Sequence, residues 1–346
     1  MNESNEWSRQ SRRQQKKKKK GRVAFVFICL FAIIAVLGTY YASKINNTIN
    51  TITQSVGNRT EQEANEIIKN AKPINVLLLG IDNGAYGRTE EDGRSDTMLL
   101  LTINPTTKKS QLLSLPRDTY TEIVGTGGYD KLNHAFAYGK APMVINSVEK
   151  LLDTTIDFYV QINMEGLMEF VDAVGGIEVT SPLTFTYEER TFIQGKTETL
   201  DGESALRFAR MRYDDPEGDY GRQKRQRIVI EKLVEKLMSF SSVANFEQLM
   251  NAVSKNVKTD LPIGQVMALK NTYGPAVTSQ NLTQSFIEER QLLLTNSAGE
   301  QIYYSYATDE ELLEKSNLIR EYLGQKPVKT YPLLQQRENL FYLTTP

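Results

Sequence analysis

Apolar and polar positions along the chain fall into three regimes. From Val23 to Ser43, VAFVFICLFAIIAVLGTYYAS, 21 consecutive residues carry no Asp, Glu, Lys, Arg or His. A helix of that length spans about 30 Å, the thickness of a hydrocarbon core. Tyr40 and Tyr41 fall where an interfacial aromatic belt belongs. The run exceeds a secretory h-region of about 7–15 residues, and no clean A-x-A cleavage site follows it. An uncleaved signal-anchor is therefore predicted. Residues 44–72 are rich in Asn, Thr, Gln and Glu and read as an extracytoplasmic stalk, helical near 61–69.

The third regime begins at Pro73-Ile74. INVLLLGI (74–81) is a continuous apolar run of strand length, the pattern of a strand covered on both faces. MLLLTIN (98–104) and SQLLSL (110–115) flank the turn signal Pro105-Thr106-Thr107-Lys108 and predict a hairpin. Helix-period stretches at 141–153 and 164–174 alternate with strand-like runs at 158–163 and 176–181. The alternation predicts an α/β/α sandwich with a central mixed β-sheet, preceded by a single transmembrane helix. QLLLT and QIYYSY, around Asn296-Ser297-Ala298-Gly299, predict a second hairpin. Thr308 with Glu311 predicts the capped start of a last helix reaching about Gly324.

Charge sharpens the picture at the N-terminus. The 346 residues hold 41 basic and 42 acidic side chains, but residues 1–22 alone carry nine basic against two acidic groups. By the positive-inside rule the KKKKK block holds a cytoplasmic tail, with everything after residue 43 outside. A basic run next to a span needs no nucleic acid to explain it, and the acidic remainder would be repelled by a polyanionic duplex, so no nucleic-acid partner is expected. One Cys excludes a disulfide framework, and one His excludes a multi-histidine metal site. Any metal should be a hard cation on carboxylates. Neither Ser95 nor Ser114 has an evident base, so a covalent serine route is not expected. His134 reads as a structural histidine.

Chemistry concentrates at strand ends. Asp82 follows the first strand, Arg94 and Asp96 precede the second, and Arg117-Asp118 follow the third. Hairpin geometry brings the start of the second to the finish of the third. If the first runs parallel to the third, Asp82, Arg94, Asp96 and Arg117 share one rim, where open α/β sheets bind ligands. A second basic concentration comprises Arg207, Arg210, Arg212, Arg222, Lys224, Arg225 and Arg227. The helix after it buries Ile230, Leu233, Val234 and Leu237 at helical spacing, and that stripe extended backwards reaches Gln226 and Arg222. Both should point inward at the helix's first turn, whose free N–H groups favour an anion. Arg210 and Arg212, two apart in an expected extended stretch, would share a face. Lys224, Arg225 and Arg227 lie off the stripe and read as surface charge. Guanidinium groups grip phosphate oxygens bidentately, and an Arg cluster suits a diphosphate.

Together these residues carry a resemblance. LLGID (78–82), RSDTMLL (94–100), SLPRDTY (114–120), KLNHAFAYG (131–139), FVDAVGGIEV (170–179), LDGESALRFARMR (200–212) and DYGRQKRQ (219–226) resemble the LytR-CpsA-Psr proteins of bacterial cell envelopes. The resemblance implies a phosphotransferase domain over 73–240, an extension at 241–324 packed on it and a mobile tail at 325–346. It implies transfer of an anionic glycopolymer, wall teichoic acid or capsular polysaccharide, from a polyprenyl-diphosphate carrier to peptidoglycan beside the cell membrane. It further implies a long apolar pocket for the prenyl chain, and water in place of the acceptor sugar would give a slow diphosphatase side activity. Residue by residue, Arg94, Arg117, Arg210, Arg212, Arg222 and Gln226 match diphosphate-binding positions. Asp82, Asp96 and Asp219 match the acidic ones, with Mg²⁺ at the first two. Asp82, Arg94, Asp96 and Arg117 are then the expected catalytic residues, with Asp82 as general base. The competing expectations are a non-catalytic binder of lipid-linked wall precursors and a transcriptional regulator.

Overall fold

The computed structural model describes residues 61–82, 93–239, 256–262, 266–278, 280–296 and 298–330. The chain divides into two compact units, residues 1–50 and 51–346, and every described residue belongs to the second. The basic tail and signal-anchor lie outside the described residues, as does 331–346 of the expected tail. Among the described residues no helix is long and apolar enough to cross a membrane.

The centre is a mixed six-stranded sheet in the order β11-β6-β1-β2-β3-β12. Its strands are β1 (Ile74–Asp82), β2 (Arg94–Asn104), β3 (Lys109–Leu115), β6 (Phe158–Asn163), β11 (Val257–Thr259) and β12 (Leu282–Phe286). β2 runs antiparallel to β1 and β3, while β6 pairs in parallel with β1 and β12 with β3. The first strand is thus parallel to the third, as the rim argument requires. Period-two alternation sorts their side chains onto opposite faces. Leu77, Leu79, Met98, Leu100, Leu113 and Leu115 pack beneath α2 (His134–Leu152) and α7 (Asp309–Tyr322). On the other face Val76, Leu99, Leu101, Ile103 and Leu112 join Ala64 and Ile68 of α1 (Glu61–Lys69), with Tyr273 of α6 (Val266–Tyr273). Helices on both faces make the three-layer α/β/α sandwich.

Two expectations change here. The predicted helix at 61–69 forms, but its buried Ala64 and Ile68 place it in the folded body rather than in a stalk. The helix expected from 141 begins earlier, at His134, and breaks at Gly139 and Lys140. Pro142 lacks a donor N–H and is tolerated only in a first turn, so the longer segment restarts just before it. Thr308 caps α7 by accepting the Glu311 N–H, as the capping box predicts.

A second core lies beside the sheet, built by α3 (Met164–Ala173), α4 (Gly202–Arg210), α5 (Asp219–Ser239) and the short strands β7 (Ile177–Thr180), β8 (Phe185–Tyr187), β9 (Arg190–Phe192) and β10 (Thr197–Leu200). α5 is buried on two flanks. Val229 and Leu233 face the second core, and Ile230 and Val234 face the sheet. Two hairpins complete the rim: β4 (Tyr120–Ile123) with β5 (Gly128–Lys131), and β13 (Arg290–Thr295) with β14 (Gln301–Tyr306).

Candidate diphosphate site

The register of the central sheet assembles the rim. Asp82, the last residue of β1, pairs across the backbone with Arg94, the first of β2. Met98 pairs with Leu115, so Arg94 and Asp96 at the start of β2 lie beside Arg117, just past the end of β3. Arg94 is exposed, and Asp96 is half-buried. Arg117 Nη1 lies 3.3 Å from Asp96 Oδ2, and its Nε lies 3.6 Å from Asp118 Oδ2. Asn133, at the entrance to α2, donates its Nδ2 to Asp96 Oδ1 at 3.2 Å. Its own N–H donates to the Arg117 carbonyl at 3.1 Å. Lys131 closes the set with Nζ 2.8 Å from Asp118 Oδ1. Asp82 is placed through its backbone only.

From the opposite face, α5 brings Arg222, Gln223 and Gln226 against Asp96, Thr97, Met98, Leu99, Ser114, Leu115 and Arg117. They enclose a crevice of about 10 Å³, room for roughly one water. Arg222 and Gln226 point inward, as the backward extension of the helix stripe predicts. A long prenyl pocket is not formed in this crevice.

The expectation that Arg225 and Arg227 are surface charge is overturned. Arg225 is 1% exposed and Arg227 5%. Arg225 pairs its Nη1 with Asp215, donates Nε to the Phe208 carbonyl at 3.0 Å and Nη2 to the Met211 carbonyl. It thereby ties the end of α4 and the loop after it to α5. Arg227 donates Nη1 to Ser114 Oγ at 2.8 Å behind the crevice, and its guanidinium lies 5.7 Å from the Phe286 ring centroid. Burial without a carboxylate in contact pulls its pKa down to about 10. The signal for Arg225 was present: Arg225, Val229 and Leu233 recur at intervals of four, a second buried stripe on the same helix. Lys224 pairs with Glu217 at 3.6 Å and is exposed.

Arg210 and Arg212 do not share an extended face. Arg210 is the last residue of α4, Met211 is its cap, and Arg212 begins the following loop. Both are half-buried, and neither lines the crevice. The Arg210 side chain makes no hydrogen bond or ion pair among the described residues, and the Arg212 guanidinium lies 6.0 Å from the Tyr213 ring centroid. Asp219 opens α5. Ser114 Oγ accepts from Arg227, and Ser95 Oγ donates to Met98 Sδ at 3.4 Å. No base touches either hydroxyl among the described residues.

The donor set suits a hard cation. Asp96 presents carboxylate oxygens that meet Arg117 on one side and Asn133 on the other, with lone pairs that suit a metal. Among the described residues, however, no group of three His, Cys, Asp or Glu side chains is gathered as ligands. Substrate oxygens and water would have to complete the sphere, which is usual for Mg²⁺.

The chain is similar to known proteins over most of its length. The LytR_cpsA_psr family model matches residues 39–319. A polyisoprenyl-teichoic acid–peptidoglycan teichoic acid transferase TagU of Enterococcus faecalis is 40% identical over 301 residues, covering 87% of this chain and 96% of that protein. A crystal structure described as a transcriptional regulator of Enterococcus faecalis superposes with a TM-score of 0.67 at 39% identity, covering 80% of this chain and 96% of that one. B. subtilis TagU superposes with a TM-score of 0.59 at 35% identity, covering 75% of this chain and 100% of that one.

Proposed function

Since this chain belongs to the LytR_cpsA_psr family, we propose that it is a membrane-anchored phosphotransferase. It moves an anionic glycopolymer, teichoic acid or capsular polysaccharide, from a polyprenyl-diphosphate carrier to peptidoglycan. The observation that carries this reading is the convergence of Asp96, Arg117, Arg222 and Gln226 on one crevice at the sheet rim. The transferase activity named for the TagU relative supports it.

Arg117 is neutralised by Asp96 in the structure. A bound diphosphate takes over that role, and Asp96 would then be available to hold a cation. Arg94, Arg117, Arg222 and Gln226 hold the diphosphate oxygens at the rim, and Arg210 and Arg212, outside the crevice at and just past the end of α4, join them on the family resemblance alone. Asp219, the first residue of α5, is the acidic member of the diphosphate-binding set. An acceptor sugar hydroxyl attacks the polymer-side phosphorus in line, and Asp82 accepts its proton. The bond from that phosphorus to the bridging oxygen breaks, and the prenyl phosphate departs with its charge balanced by the arginines. Asp82 and Asp96 would hold Mg²⁺, which supplies further neutralisation of phosphate charge. Water in place of the sugar gives the diphosphatase side activity.

The test uses the full chain in detergent with a polyprenyl-diphosphate-linked saccharide, peptidoglycan oligomers and Mg²⁺, following attachment by mass. Arg117→Ala should lower coupling about 100-fold or more, the usual loss for one charge-stabilising donor. Asp82→Ala and metal chelation should do likewise. A folded Arg117→Ala protein with full coupling would sink the scheme. Lipid binding without coupling would make the chain a receptor for lipid-linked wall precursors.

A further inference from the structure

A second cluster stands on Asp130, in β5. Its Oδ2 accepts the Tyr138 hydroxyl at 2.7 Å and meets His134 Nδ1 at 2.8 Å. Its Oδ1 accepts the Lys131 N–H at 2.8 Å and the Tyr304 hydroxyl at 3.4 Å. One carboxylate thus fixes three rings from two elements. Tyr304 meets Tyr120 edge-on at 5.1 Å, and Lys131 Nζ lies 5.8 and 5.6 Å from the Tyr303 and Tyr304 ring centroids. Tyr138 is 57% exposed and Tyr303 46%.

That combination is unusual for surface tyrosines. An exposed ring normally rotates freely, and holding it still costs conformational entropy. Tyr138 is held by its hydroxyl with its ring open to solvent. Preorganised aromatic faces bind ligands with little further ordering cost.

The cluster abuts the diphosphate crevice. Asn133, the neighbour of His134, donates to Asp96, and Lys131 pairs with Asp118 beside Arg117. Hydrogen bonding to Asp130 and burial raise the Tyr138 phenol's pKa, and the rim Arg94 opposes the rise.

The chemistry selects the ligand. Asp130 is already engaged by His134, Tyr138, Tyr304 and the Lys131 N–H, so it offers little free charge to an ion. The rings lie open at the surface rather than enclosing an apolar cavity, which disfavours a lipid tail. A saccharide fits both properties, because its CH edges stack on the electron-rich ring face while its hydroxyls need nearby donors and acceptors. With Nδ1 engaged by the carboxylate, His134 Nε2 is the ring nitrogen left to meet a sugar hydroxyl.

We propose that Tyr138, His134, Tyr303 and Tyr304, arranged on Asp130, form the subsite for the acceptor saccharide beside the diphosphate. The proposal rests on the transferase reading and names its second substrate's seat. Tyr138 stacks on the sugar ring, and His134 orients a hydroxyl toward the rim.

The experiment titrates the full chain in detergent with the disaccharide-repeat tetrasaccharide released from peptidoglycan, and separately with a polyprenyl diphosphate. Tyr138→Ala should weaken tetrasaccharide binding about tenfold, the loss of one well-placed aromatic contact, while polyprenyl-diphosphate binding stays within about twofold. Asp130→Asn should weaken the tetrasaccharide similarly. If Asp130→Asn lowers the melting temperature sharply, the exposed Tyr138 variant still decides. Unchanged tetrasaccharide affinity in folded Tyr138→Ala, or no tetrasaccharide binding by the unaltered chain, overturns the subsite. Tetrasaccharide binding that depends on Tyr138 in a chain that ignores polyprenyl diphosphate would instead overturn the transferase reading and leave the saccharide site standing.

Discussion

Two arginines two residues apart on α5 illustrate how neighbours decide what a buried charge does. Arg225 answers a carboxylate and two carbonyls, so its removal strands Asp215 and two acceptors in the interior. Breaking such a pair costs about 3–5 kcal/mol, and Arg225→Ala should lower the urea-unfolding free energy by that amount. Arg227 has a hydroxyl for a partner and no carboxylate in contact. Arg227→Met should therefore change stability by no more than about 1 kcal/mol in either direction. A loss as large as that of Arg225→Ala would refute the distinction. Linkage gives a further check. The folded-state pKa of Arg227, about 10, lies below its ordinary 12.5, so between those values the unfolded chain binds more protons. This group's contribution to stability rises with pH across that window, and the Met variant should lack the rise. Gly221 is fixed by the same network, because a Cβ there would overlap the Asp215 carboxylate.

At the scale of elements, the C-terminal third completes the sheet. β12 pairs with β3 and β11 with β6, so both edges of the sheet come from beyond residue 240. Ile287, Ala307, Leu312 and Ile319 are buried in the core under α2. A chain ending at residue 240 exposes that face and two unpaired strand edges. Such a chain should be recovered aggregated or rapidly proteolysed, and a protease-resistant, cooperatively melting fragment 61–240 would contradict this. Strands β1 to β3 were legible from their apolar runs and the Pro105 turn, because local pattern dominates where a strand is buried on both faces. β11 was not, since three residues, Val257–Thr259, are too few to display a period. The double burial of α5 was missed for a related reason: two apolar stripes on one helix blur the single stripe that sequence reading looks for.

For the whole molecule, charge is divided between a basic first 22 residues and an acidic remainder, with the apolar run Val23–Ser43 following the tail. The full chain should fractionate with membranes and resist alkaline carbonate, and removing residues 1–43 should release it. A full chain found in the soluble fraction would refute the anchor. The sequence alone determined the apolar run, the rim strands, the capped last helix and which arginines and carboxylates deserved attention, because these follow from local periodicity, turn chemistry and residue type. Only the tertiary structure decided which charges are buried. Register set Asp96 against Arg117, helix packing sank Arg225 and Arg227 into the interior, and the β13–β14 hairpin brought Tyr304 to Asp130 from 174 residues away. Such pairings depend on contacts between residues far apart along the chain, and no window along it contains both partners.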